Sequence, residues 1–99
     1  MPLGNAEREI FVTAERSRAF AAVVAAGSAI GRVLDAEEPT GTVTVKTRYV
    51  LQSVKLRVSV LPEGDGSRIV ISGASDDVWG GGARKGADKL VAALNHELA

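Results

Sequence analysis

The hydrophobic period of this chain changes in a set order: two-residue alternation, one stretch at helical spacing, about four more alternating segments, then a closing helical stripe. Alternation puts successive side chains on opposite faces of a strand, whereas spacings of three and four gather apolar groups on one side of a helix. The order therefore reads β-α-β-β-β-β-α. Each alternating segment is polar on one side, as in a sheet that is packed on one face and wet on the other. The expectation is a two-layer α+β domain: an antiparallel sheet of about five strands with both helices packed on one face.

Arg8 to Ala14 alternates, with Ile10, Val12 and Ala14 on one side and Glu9, Phe11 and Thr13 on the other, so Phe11 should face water. From Ser17 the spacing lengthens through Phe20, Val23, Val24, Gly27, Ile30 and Leu34, with Thr13 or Ser17 as candidate N-cap. Gly27 and Gly31 either end this helix or let its backbone approach the sheet. Val33 and Leu34 suggest a short second strand before an acidic loop, Asp35 to Glu38, and the breaker Pro39-Thr40-Gly41. Thr42 to Val50 sends Val43, Val45, Thr47 and Tyr49 inward, and Val54 to Val60 does the same with Val54, Leu56, Val58 and Val60. A turn near Leu51-Gln52 would pair Tyr49 with Val54. Glu63-Gly64-Asp65-Gly66 is a hairpin turn leading to Arg68 to Gly73, with Ile69 and Ile71 inward. Ala83, Ala87, Leu90, Val91, Leu94 and Leu98 mark the final helix.

A length of 99 residues allows one domain, 1–99, with residues 1–6 as a flexible N-terminus, burying roughly 60–65% of its unfolded surface. The apolar content of 45% excludes disorder, and Ala19 to Gly27, the longest apolar run, is too short to span a bilayer. A soluble, cytoplasmic protein is expected, since the N-terminus has no pattern of an export signal. Cysteine is absent, which removes disulfides and thiolate chemistry. Lys and Arg number 12, as do Asp and Glu, so net charge argues against nucleic-acid or membrane-surface binding unless the basic residues are segregated onto one face.

Gly41-Thr42-Val43 opens one strand, and Ile69-Val70-Ile71-Ser72-Gly73 closes another before Asp76-Asp77 and a long helix. With the element order, this pattern resembles small bacterial domains of uncharacterised function and the TATA-binding-protein-like and helix-grip folds. The resemblance covers Glu7 to Leu98 and implies a fold; it implies no catalytic residue. Helix-grip proteins hold apolar ligands between sheet and C-terminal helix, which here would make Tyr49, Leu56, Trp79 and Leu90 ligand contacts.

Catalytic templates fail one by one. The junction Trp79-Gly80-Gly81-Gly82-Ala83-Arg84-Lys85-Gly86 offers glycines and cations, yet Lys85 precedes Gly86 and no Ser or Thr follows, so it is neither a Walker loop nor a dinucleotide fingerprint. His96 is the sole histidine and lies off the helix stripe; metal binding would rest on carboxylates alone. Asp76-Asp77 and Glu37-Glu38 are adjacent solvated pairs without the burial that general acid–base work requires. No catalytic residue, metal or cofactor is expected.

The outer sheet face is more specific. In the hairpin register above, Arg48 falls opposite Lys55 and Lys46 opposite Arg57, with Arg68 on the next strand. Like charges directly across strands are destabilising, so this cluster is a candidate contact for an anionic partner. Phe11 and Val70 on the same face are candidate interface residues, since exposed apolar groups on a sheet are common where copies associate. With Phe11 as the single aromatic there, nucleic acid is a poor fit. The sequence thus favours a non-catalytic domain acting by self- or protein–protein association, with a small apolar-ligand carrier as the alternative.

Overall fold

The structure, a computed structural model, describes residues 5–75 and 81–99. The elements are β1 (Asn5–Val12), α1 (Arg16–Ile30), β2 (Arg32–Glu37), β3 (Thr42–Tyr49), β4 (Gln52–Glu63), β5 (Gly66–Ser75) and α2 (Gly81–Leu98). The five strands form one sheet in the order β1-β5-β4-β3-β2, antiparallel throughout. Both helices pack on the same face, α1 over β2, β3 and β4, α2 over β1, β4 and β5, and they touch each other. The expected α+β two-layer fold is the observed one.

Alternation decides which side of each strand is dry. Val43, Val45, Val54, Leu56, Val58, Val60, Ile69 and Ile71 are fully buried beneath Val23, Ala26, Leu90 and Leu94 of the helices. Helix and sheet approach closely at two glycines. A Cβ on Gly27 would lie 2.7 Å from Val45 Cγ2, and one on Gly86 would lie 2.8 Å from Val54 Cγ1. Gly27 therefore serves close approach rather than helix termination, and α1 runs on to Ile30.

Several boundaries differ from the sequence reading. Asn5 and Ala6 belong to β1, paired with Ala74 and Gly73, so the first strand begins before Arg8. Glu15 caps α1 in place of Thr13 or Ser17, its carboxylate accepting from the amides of Ser17 (3.1 Å) and Arg18 (2.9 Å). Asp35, Ala36 and Glu37, expected in a loop, lie in β2, where a bulge between Val33 and Asp35 keeps the pairing with β3. The β3–β4 register also differs: Tyr49 faces Gln52, and Val50-Leu51 alone make the turn. The shift is two residues, an even number, so every residue keeps its face of the sheet.

Buried polar groups tie helix ends to the sheet. Thr47 Oγ1 donates to the Ile30 carbonyl at 2.8 Å, Ser67 Oγ donates to the Ala14 carbonyl at 2.8 Å, and Ser75 Oγ accepts from the Ala83 amide at 3.1 Å in the first turn of α2. Gly81 and Gly82 are already helical, and Gly82 is buried.

Candidate functional site

The face away from the helices is uncovered, and the ladder registers define what stands on it. Crossing the sheet from β1, one rung carries Phe11, Arg68 and Leu61, and the next Glu9, Val70, Ser59, Thr42 and Glu37. Glu7, Ser72, Arg57, Thr44 and Asp35 follow, then Ala74, Lys55, Lys46 and Arg32. Ser53 and Arg48 close the series beside the β3–β4 turn. Phe11 is 63% exposed, as its parity required, and Val70 is half-buried between its neighbours.

The basic cluster forms, with altered pairings. Lys46 faces Lys55, Arg57 faces Thr44 and Arg48 faces Ser53, replacing the expected Arg48–Lys55 and Lys46–Arg57 pairs. Arg68 separates from the cluster because its guanidinium meets Glu9 at 3.1 Å and Glu63 at 3.7 Å. The salt bridges among the described residues join Arg8 to Asp88 and Arg68 to its two glutamates, and none involves Lys46, Arg48, Lys55 or Arg57.

Small side chains make this face concave beside the cations. Ser72 and Ala74 floor an open trough of ≈ 540 Å³ bordered by Glu7, Lys55 and Arg57. A second trough of ≈ 450 Å³ adjoins it across Lys55 and Ala74 and reaches Lys46 and Leu34 at the edge. Leu34, which the sequence placed both on the helix stripe and in a short second strand, lies on the bulged strand and is 45% exposed.

The β3–β4 turn adds an apolar feature that pattern reading passed over. Val50 is 74% and Leu51 89% exposed, and Tyr49, expected inward, is 39% exposed because the sheet ends beneath it. Two adjacent apolar residues in a two-residue turn, with neither Gly nor Asn, were the available signal. Val50 has φ +58°. Lys89 of α2 reaches over to this corner, its Nζ donating to Thr47 Oγ1 and to the Arg48 carbonyl, each at 3.4 Å.

Of the residues proposed to line an interior pocket, Leu56 and Leu90 are fully buried in the joint core of sheet and helices, and Trp79 lies outside the described residues, as do Asp76 and Asp77. Neither Leu56 nor Leu90 borders either of the two troughs on the open face. His96 is exposed in the last turn of α2. Among the described residues no group of three or more His, Asp or Glu side chains is gathered to hold a metal ion.

No family model matches this chain, and no characterised protein matches it in sequence. Among solved structures it is similar to the crystal structure of Ara h 8.0201, with TM-score 0.52 and 13% identity over 95% of this chain and 97% of that one. At that identity the likeness is one of fold, and the fold is helix-grip-like α+β. No helix among the described residues is long and apolar enough to cross a membrane.

Proposed function

We propose that this is a non-catalytic domain that pairs with a second copy of itself through the open sheet face. The observation that carries the reading is self-complementarity: on the β1–β5 ladder Phe11 stands toward one end, and the trough floored by Ser72 and Ala74 lies toward the other. A two-fold axis lying in the face, perpendicular to the strands, sets each Phe11 over the other copy's trough. The same rotation brings the Lys55 end of one face over the Glu63 end of the other. Five strands at ~4.8 Å spacing and about eight residues at ~3.3 Å rise give a face of roughly 600 Å², approaching the ~800 Å² per partner of a standard interface.

Sedimentation velocity over a range of concentrations tests this. The wild type should shift from monomer to dimer, while Phe11→Asp and Ala74→Arg remain monomeric with unchanged melting temperatures. A wild type that is monomeric at every concentration refutes the proposal.

The second reading is a carrier of small apolar ligands, supported by the helix-grip-like fold. In this packing Leu90 is fully buried, and α2 must lift from β4 and β5 to admit a ligand there. Titration with fatty acids should then raise the melting temperature and change Trp79 emission, and no response in either excludes it.

A further inference from the structure

We infer that the β3–β4 turn and the cations around it form a docking site for an anionic lipid surface. The tip lies at the opposite end of the strands from Phe11, but Lys46 and Lys55 stand on the face proposed above to pair, so docking is a property of the monomer and competes with pairing.

Shape, apolarity and charge lead to the same occupant. Val50 and Leu51 project as a two-residue apolar tip, 74% and 89% exposed, beyond the last rung of the sheet. A tip of two residues is too small to supply a protein–protein interface, which needs some 20–30 residues a side. A bilayer requires no matching pocket, because acyl chains close around whatever enters. Tyr49 sits immediately behind, and an aromatic ring with a hydroxyl suits the boundary between headgroups and chains.

Charge complementarity selects anionic lipid. Arg48 and Lys46 follow the tip on β3, Lys55 on β4, Arg32 stands beside Lys46, and Lys89 is held against Arg48. Lys46 and Lys55 are about four positions from the tip, or ~13 Å along a strand, and their flexible stems shorten that reach. Insertion of the tip by ~5–10 Å would therefore bring these ammonium and guanidinium groups to the level of lipid phosphates. Lys46 and Lys55 stand side by side on adjacent strands with no salt-bridge partner among the described residues, an arrangement that costs stability in the free protein and is relieved by an anionic surface. The segregation of basic residues that composition could not show is thus realised at this end of the strands.

Vesicle co-sedimentation at protein concentrations where the chain is monomeric provides the test, with mixed phosphatidylcholine–phosphatidylserine vesicles compared with pure phosphatidylcholine. The wild type should bind the mixed vesicles and be released by salt, and pure phosphatidylcholine should retain far less. Leu51→Ser should reduce partitioning at least tenfold. Each cation removed in a Lys46→Gln, Lys55→Gln series should reduce it about fivefold. Phe11→Asp should bind as the wild type does, so loss of pairing and loss of docking are separable. Circular dichroism of every variant establishes that it is folded. Absence of binding to the mixed vesicles, or binding by folded Leu51→Ser equal to the wild type, overturns the inference. Binding to soluble polyglutamate without binding to vesicles also overturns it, in favour of an acidic protein partner.

Discussion

Val50 occupies the first central position of the β3–β4 turn with φ +58°, a conformation that β-branched residues avoid. The β4–β5 turn is built alike, with Glu63 opposite Gly66 and Gly64 at φ +57°, but there glycine adopts the angle without steric penalty. The comparison isolates the cost of the valine. Val50→Gly should stabilise the domain by about 1 kcal/mol, seen as a melting temperature higher by roughly 4–8 °C. An unchanged melting temperature would mean that the turn relaxes in solution. Thr47 offers the opposite case, because its buried hydroxyl donates to the last carbonyl of α1 and receives Lys89. Thr47→Val keeps the shape and removes both bonds, and should cost about 1–3 kcal/mol in urea unfolding.

Among the elements, parity was legible and pairing was not. Alternation in β3, β4 and β5 identified the dry face correctly because burying one face penalises every odd slip of register. An even slip changes no residue's face, so hydrophobic pattern alone could not choose between Tyr49–Val54 and the observed Tyr49–Gln52 pair. That choice rests on turn geometry, and Val50-Leu51 lacks the residues by which two-residue turns are recognised. Likewise β2 was read too short because its carboxylates resemble a loop, while an edge strand tolerates charge. The outer-face residues Phe11, Lys46, Lys55 and Arg57 were legible from parity, whereas the trough beside them required the register.

Two substitutions examine how these elements pack. Leu56→Ala, at a fully buried site in the core between sheet and helices, should cost about 2–5 kcal/mol. Gly86→Ala improves helix propensity yet places a methyl 2.8 Å from Val54 Cγ1, and should destabilise by about 1–3 kcal/mol. Adding Val54→Ala should recover part of that loss, a coupling that denaturant titration of the four combinations would measure.

At the scale of the whole molecule, formal charge sums to +0, yet the charges are sorted by position along the strands. Among the described residues Arg32, Lys46, Arg48, Lys55 and Lys89 gather at the β3–β4 turn, and Glu15, Glu37, Glu38, Glu63 and Asp65 at the opposite end, where Arg16, donating to the Glu38 carbonyl, and Arg68, paired with Glu63, offset part of the negative charge. The longest extent of the described molecule is 38 Å, several times the ~8 Å over which charge acts at physiological ionic strength. A charged surface therefore meets one end of the protein at a time, and the other end is electrostatically silent. Ion-exchange chromatography should make this visible: near pH 7, in dilute buffer, the chain should be retained by cation-exchange and anion-exchange resins alike, although its isoelectric point of ≈ 6.6 foretells weak adhesion to either. Each resin would capture the molecule in the opposite orientation. Replacing Lys46, Arg48, Lys55 and Arg57 with glutamine should weaken retention on the cation exchanger and strengthen it on the other.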